Sequence, residues 1–180
     1  MIGVALDESP DDVRPWCDGI DFPVLIDSEH LLSELYAISN VPTVVWIDEE
    51  NRIVRPNGVA FGTDLFKDFT GVEAGPHLDL VRKWVRAGFV PSAPAVADLT
   101  DDEVLARLHF RAAVHARRAG DTEAAARHFE RAGGLAPHDF TIRRATLPLV
   151  GDDPFGEKFF FMYEGWEAAG MPYHGIAPVT

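Results

Sequence analysis

A thiol is the side chain best suited to nucleophilic and redox chemistry, and this 180-residue sequence contains one, in Cys17. Reactive thiolates lie at helix N-termini or beside cations, which lower the thiol pKa. Cys17 instead shares helical spacing with Val13 and Ile20, on the apolar face of a predicted helix. It is followed by the acidic Asp18, so we expect Cys17 to be a buried structural thiol. One cysteine also excludes, within this chain, an intramolecular disulfide, a Cys-x-x-Cys pair and a cysteine zinc cluster.

Other residue types that perform catalysis or bind metals are not spaced for either task. The seven histidines show no His-x-x-x-His or Glu-x-x-His pattern, which would be typical of a metal site. The chain has no Gly-x-Ser-x-Gly, no phosphate-binding glycine loop and no dinucleotide fingerprint. The carboxylate pairs at 11–12 and 152–153 lie at predicted helix starts, where capping explains them. We therefore expect no catalytic residue, no metal ligand and no cofactor here.

Short apolar runs alternate with helix-start signals over the first part of the chain. Ser9-Pro10 is typical of a helix N-terminus, and the β-branched run after Pro42 is typical of a central strand. Asn51 lies where a hairpin turn often needs a left-handed residue. The sequence predicts strands at 2–6, 22–26, 43–47 and 52–55, and helices from Ser9 through Ile20, around 31–36 and at 78–85.

These elements carry a resemblance to a known family. Residues 2–54 resemble the distal part of thioredoxin-like proteins of the TlpA/ResA type, and the helix at 78–85 corresponds to the last helix of that family. The resemblance implies an α/β fold of the thioredoxin type. The matching pieces are Gly3-Val4-Ala5-Leu6-Asp7, Phe22-Pro23-Val24-Leu25-Ile26-Asp27, Leu35-Tyr36-Ala37-Ile38, Val41-Pro42-Thr43, and Trp46-Ile47-Asp48 continuing to Val54.

The resemblance also implies a substrate-binding segment at Val41, Pro42 and Thr43. In the family the matching X–Pro bond is cis, lies beside the catalytic cysteine pair, and is preceded by backbone that pairs with an extended substrate peptide. A cis X–Pro bond is a minority state that the surrounding structure must impose. The implied reaction is dithiol–disulfide exchange on a protein or peptide thiol or disulfide substrate. An ordinary proline at the start of a strand is the alternative that Pro42 alone would favour.

The chain departs from the family pattern because its first strand and helix, its central strand and the helix with Cys-x-x-Cys are missing. Such an incomplete thioredoxin-like fold would leave the strands at 2–6 and 43–47 with unpaired backbone groups. We expect either a longer parent protein, with Met1 as an internal start and cysteine or selenocysteine in the missing motif, or rearrangement or pairing with another chain. The first explanation is preferred. In both cases we expect no oxidoreductase turnover from this chain, because a thiolate or selenolate nucleophile is required.

Beyond a proline-containing linker at 89–99 the sequence becomes helical. Thr100 and Glu103 form a predicted capping box that begins a helix to about residue 119. Gly120-Asp121 begins another helix, which we expect to end at Gly133-Gly134, and further helices are expected near 137–148 and from Asp153-Pro154. Residues 108–140 resemble a single tetratricopeptide repeat. Its small, aromatic and proline positions are Ala125, Phe129, Ala132 and Pro137.

The arginines of this predicted helix pair allow two interpretations. They could bind an acidic peptide terminus of a protein partner, or form a solvated face with glutamates four residues away, and the second is preferred. The aromatic run at 159–161 is expected to lie in the core. The arginines concerned are Arg107, Arg111, Arg117, Arg118, Arg127 and Arg131.

The composition restricts the class of partner. A net charge of −13 argues against nucleic acid, because phosphate binding needs clustered basic residues. No apolar run approaches the roughly 20 residues of a membrane span, and no export signal begins the chain, so a soluble cytoplasmic protein is expected.

Together the patterns predict three parts: a partial thioredoxin-like α/β domain at 1–88, a linker at 89–99 and an all-α helical-repeat segment at 100–180. The expected function is that of a thioredoxin-like thiol–disulfide oxidoreductase that is inactive as given. A non-catalytic interaction module, with the helical repeat as its docking surface, is the alternative.

Overall fold

The computed structural model describes residues 1–176, apart from the side chains of residues 66, 69 and 70, and the chain is a mixed α/β protein. Within this described part, no helix has both the length and the apolar character that crossing a membrane requires. The strands are β1 (Gly3–Ala5), β2 (Val24–Ile26), β3 (Thr43–Ile47) and β4 (Ile53–Val59). The helices are α1 (Pro10–Val13), α2 (Leu31–Leu35), α3 (Lys67–Thr70), α4 (Ala74–Ala87), α5 (Asp101–Arg118), α6 (Thr122–Leu135), α7 (Phe140–Leu149) and α8 (Glu157–Ala168).

The chain divides into two compact units. The helical unit comprises Met1–Leu35 and Thr100–Pro172, and the hairpin unit comprises Tyr36–Leu99 and Tyr173–Thr180. These units do not follow the ranges 1–88, 89–99 and 100–180 predicted above, because each of them combines segments that are distant in sequence.

The core of the helical unit lies between α5, α6 and α7. Alanines let the helices approach closely, and the rings of Phe110 and Phe129 meet edge to face with centroids 5.8 Å apart. The predicted capping box at Thr100 and Glu103 is confirmed, as is the cap at Asp121, whose carboxylate accepts a hydrogen bond from the Ala124 amide. The fully or largely buried side chains of this core are Ala106, Phe110, Ala113, Val114, Ala125, Phe129, Ala132, Ala136, Ile142, Ala145 and Leu149.

Several predicted helix boundaries are wrong, among them that of α4, which spans Ala74–Ala87 where 78–85 was expected. The helix expected through Ile20 ends at Val13, followed by a 3-10 turn at Arg14–Trp16, because Pro15 has no amide hydrogen for the helical bond. The helix expected to end at Gly133-Gly134 continues to Leu135. The last helix begins at Glu157 with Gly156 as its N-cap, and not at Asp153-Pro154.

The expected burial of the aromatic run at 159–161 is also wrong for two of its three rings. Phe160 is 57% exposed and Phe161 is 78% exposed, whereas Phe159 lies 5.9 Å from Phe140 between ring centroids. Consecutive side chains on an α-helix point about 100° apart, so three in a row cannot share one buried face.

The N-terminal segment of the helical unit contains the parallel pair β1–β2, in which Gly3 lies opposite Val24 and Ala5 opposite Ile26. Asp27, directly after β2, caps α2 through its carboxylate, which accepts hydrogen bonds from the amides of Leu31 and Ser33 at 2.9 Å. This cap fixes the start of α2 and turns Glu34 into the interior, where it is 1% exposed.

A buried network of ion pairs joins this N-terminal segment to the helices of the same unit. Arg107 of α5 donates from Nε to Asp139 at 2.9 Å and from Nη1 to the Glu34 carbonyl at 2.8 Å. Arg111 donates from Nη2 to the Glu34 carboxylate at 3.1 Å and from Nε at 2.5 Å. Asp139 also caps α7 by accepting a hydrogen bond from the Thr141 amide. Asp139 is therefore paired with Arg107, and Glu34 contacts both Arg107 and Arg111.

The hairpin unit contains the antiparallel pair β3–β4, in which Trp46 lies opposite Arg55 and Thr43 opposite Val59. The predicted turn is confirmed: Asn51 has a left-handed φ of 60°, and Asp48 accepts hydrogen bonds from the amides of Glu50 and Arg52. Helix α4 packs on this hairpin through Trp84, whose ring stacks on Trp46 at 4.8 Å between centroids. In the described part of the chain, β1–β2 and β3–β4 form separate two-stranded sheets.

We expect Arg107→Met to lower the free energy of unfolding by about 3–5 kcal/mol, because it leaves the buried carboxylate of Asp139 without its cation. Urea denaturation followed by far-UV circular dichroism measures this loss. The control is Arg127→Met, which removes an exposed ion pair with Glu123 and should cost less than about 1 kcal/mol. Equal losses in the two variants would contradict the role assigned to the network.

Candidate functional site

The segment Val41, Pro42 and Thr43 lies directly before and at the start of β3, and its Val41–Pro42 bond is cis as expected. The Pro42 carbonyl accepts a hydrogen bond from the Ala60 amide at 3.1 Å. The Thr43 hydroxyl donates to the Asn40 carbonyl at 2.6 Å. The first contact joins the segment to the residue that follows β4, and the second closes the turn that precedes β3.

Val41 is the part of this segment that remains open to a ligand. Its side chain is 50% exposed, and neither its amide nor its carbonyl has a hydrogen-bond partner among residues 1–176. An extended peptide could pair with both groups, as a strand adds to the edge of a sheet. Val41 therefore offers one backbone hydrogen-bond donor and one acceptor directly before the β3–β4 hairpin.

A C-terminal segment of the hairpin unit borders this site, and nothing in the sequence had signalled it. The Tyr173 hydroxyl is hydrogen-bonded to the Thr43 side chain and accepts a longer bond from Asn57 Nδ2 at 3.4 Å. Burial raises the pKa of Tyr173. The Ile176 amide donates to the Asn57 carbonyl at 2.9 Å, in a parallel bridge with Gly58. Ile176 is 2% exposed, so this short segment covers the outer edge of β4.

Cys17 lies in the helical unit, at the end of the 3-10 turn and not within a longer helix. Its side chain is half-buried, and its Sγ lies 3.5 Å from the Val13 carbonyl oxygen, to which it can donate. The thiol of Cys17 was predicted to be buried but is only half-buried. The helix from Ser9 through Ile20, whose apolar face was expected to contain Cys17, does not form.

Most of the arginines singled out in the sequence are paired within the chain. Arg107 and Arg111 bind Glu34 and Asp139, as described above, and Arg117 and Arg118 both contact Glu29. Arg127 forms the expected pair with a glutamate four residues away, Glu123. A cavity of about 250 Å³ lies beside this cluster, but its guanidinium groups are already engaged by carboxylates. Its lining residues are Leu31, Glu34, Leu35, Arg111, Val114, His115 and Arg118.

Metal-binding groups are sparse in the part of the chain that the structure describes. No set of three or more His, Cys, Asp or Glu side chains there could hold a metal ion. The Nδ1 atoms of His109 and His128 lie 2.8 Å apart across α5 and α6. That distance fits a hydrogen bond between two imidazoles.

Comparisons with known proteins do not add to this description. No protein-family model matches the chain, and no match was found among curated proteins or among solved structures.

We expect Gly58→Ala to release the C-terminal segment, because the added Cβ would lie 2.9 Å from Ile176 Cγ1 and 3.3 Å from the Ile176 carbonyl oxygen. Amide hydrogen exchange at Ile176 should become faster. Gly62→Ala is the matched control, since a Cβ at Gly62 meets no atom within 4 Å. Unchanged exchange at Ile176 in Gly58→Ala would show that the bridge tolerates the methyl group.

Two histidines make the stability of the fold depend on pH. Burial lowers the pKa of His30, and burial followed by the charge of Arg55 lowers the pKa of His77, in both cases below the ordinary 6.5. A histidine with a lowered native pKa binds fewer protons in the folded state than in the unfolded state. Stability must then fall as the pH falls through 6.5 and below.

We accordingly expect the free energy of unfolding to decrease between about pH 7 and pH 5. The decrease should be smaller in His77→Gln, and smaller again when His30→Gln is added. Urea titrations at several pH values measure these slopes. A double variant with the slope of the parent chain would contradict this assignment.

Proposed function

We propose that this chain carries the substrate-binding half of a thioredoxin-like thiol–disulfide oxidoreductase, with Val41, Pro42 and Thr43 as the segment that binds an extended peptide. The observation that carries the proposal is the open backbone of Val41 directly before β3. Its amide and carbonyl can pair with a peptide strand, which gives affinity without dependence on the peptide's side chains.

The order of elements supports the proposal. The parallel pair β1–β2, α2, the Val41–Thr43 segment, the β3–β4 hairpin and α4 follow one another as the resemblance implies. Two separate two-stranded sheets are also what an incomplete thioredoxin-like fold would contain if the strand between them lay outside this sequence.

The chemistry requires groups that this chain does not supply. In dithiol–disulfide exchange, a thiolate attacks the substrate disulfide and forms a mixed disulfide, which a second thiol then resolves. Cys17 is the one sulfhydryl present, so it cannot complete both steps. The nucleophile, as cysteine or selenocysteine, would belong to the missing part of the fold, and this chain would bind a peptide without turning it over.

The test is a titration of the ¹⁵N-labelled chain with an extended peptide whose single cysteine is blocked by S-methylation. We expect the Val41 amide to shift and to become protected from exchange. The control is the same peptide with alternate backbone nitrogens methylated, which keeps every side chain but removes hydrogen-bond donors. Equal binding of both peptides would contradict the proposal.

An insulin-reduction assay tests the catalytic part of the same proposal. We expect no turnover by the chain alone. Reduction at a rate near that of a thioredoxin would show that the reactive groups are present after all.

The second candidate function is docking of a protein partner on the helical-repeat segment of residues 100–180. The exposed aromatic side chains of Phe160 and Phe161 favour it, because exposed aromatic rings are typical of interaction surfaces. The pairing of Arg107, Arg111 and Arg117 within the chain argues against an acidic peptide as that partner. In the same titration, shifts confined to α5–α8 would favour this function over the first.

A further inference from the structure

The hairpin unit contains an arginine, Arg55, whose charge has no counterpart among residues 1–176. Arg55 lies on β4 opposite Trp46, is 9% exposed, and holds its guanidinium carbon 5.5 Å from the centroid of the Trp46 ring. Trp46 in turn stacks on Trp84 of α4. The guanidinium group of Arg55 is therefore held in position beside the ring of Trp46, which is itself stacked on Trp84.

In the part of the chain that the structure describes, no acidic side chain forms an ion pair with Arg55. Arg55 forms no ion pair with residues 1–176, and its buried Nη1 has no hydrogen-bond partner there. Arg107 shows the contrast within the same molecule, because its buried guanidinium is paired with Asp139 and Glu34. Buried charges in proteins are normally paired, since desolvation without a partner is costly.

The neighbour of Arg55 on α4 cannot supply the missing charge. His77 is half-buried, and burial together with the charge of Arg55 lowers its pKa. It is therefore neutral at neutral pH. A neutral imidazole can donate or accept a hydrogen bond, but it leaves the positive charge of Arg55 uncompensated.

We propose that Arg55 is the anchor of a carboxylate-binding site, in which its guanidinium pairs with one carboxylate beside the Trp46 ring. The planar fork of arginine matches a carboxylate with two parallel hydrogen bonds. One positive charge balances one carboxylate, whereas a bound phosphate dianion would leave one negative charge uncompensated on a chain whose net charge is already −13. The carboxylate belongs to a small organic acid or to an acidic residue of a peptide. The site is independent of peptide pairing at Val41.

The experiment titrates the chain with sodium acetate at constant ionic strength, with acetamide as the neutral compound of the same shape. The readouts are the NMR signals of Arg55 Nε–H and of the Trp46 indole N–H, together with the melting temperature. We expect saturable shifts of both signals and a higher melting temperature with acetate, and neither effect with acetamide. Equal effects of the two compounds, or no saturable shift, would overturn the proposal.

Variants connect the effect to Arg55. Arg55→Met should abolish the response of Trp46 to acetate, and Arg55→Lys, which keeps the charge without the fork, should weaken binding roughly tenfold or more. The control is Arg82→Met in the same unit, an exposed arginine paired with Asp79, which should respond as the parent chain does. If Arg55→Met does not fold, the lysine variant decides the question, and affinity equal to that of the parent chain would refute the site.

A second arm identifies the source of the carboxylate. A short peptide with one glutamate is compared with the same peptide carrying glutamine. A Trp46 shift with the glutamate peptide at lower concentration than with acetate assigns the site to acidic peptides. A stronger response to acetate assigns it to small organic acids, and no response to either overturns the site itself.

Discussion

The buried pairing of Arg107 with Asp139 and Glu34 is the interaction on which the helical unit depends. Burying a guanidinium group is costly unless hydrogen bonds and ion pairs compensate for the water that it loses. Arg107 donates hydrogen bonds to one carboxylate and one backbone carbonyl. The same contacts bind three separate parts of the chain, α2, α5 and the start of α7, to one point. Because Arg111 also binds Glu34, the first 35 residues belong to the helices far along the chain and not to the hairpin that follows them.

This network explains why the fold could be predicted locally but not globally. The caps at Thr100 and Asp121 and the left-handed Asn51 depend on neighbours within a few residues, so their sequence signals are sufficient. Glu34 gives no such signal. Leu31, Leu32 and Leu35 have the spacing of the apolar face of a helix, yet Leu35 is exposed and Glu34 is not. Its partners lie more than seventy residues away in sequence, where no periodicity could indicate them.

The candidate site shows the same division between near and distant contacts. The position of Val41, Pro42 and Thr43 before a hairpin followed from the run of β-branched residues and from the resemblance. The contact between Tyr173 and Thr43 could not be foreseen, because the two residues are far apart in the sequence and Tyr173 lies among glycine and proline residues without a pattern. Arg55, which has no ion-pair partner among residues 1–176, could not be foreseen either, because in the sequence it is one more polar residue of a predicted strand.

The way the chain passes between its two units affects how the protein can be made. The helical unit includes residues up to Pro172, and the hairpin unit includes the bridge between Ile176 and Gly58. Many proteins fold from the N-terminus as they leave the ribosome, one domain after another. Here the first 35 residues can form their contacts with α5 and α7 only after those helices have left the ribosome. Glu34 therefore stays hydrated and unpaired until most of the chain has been synthesised.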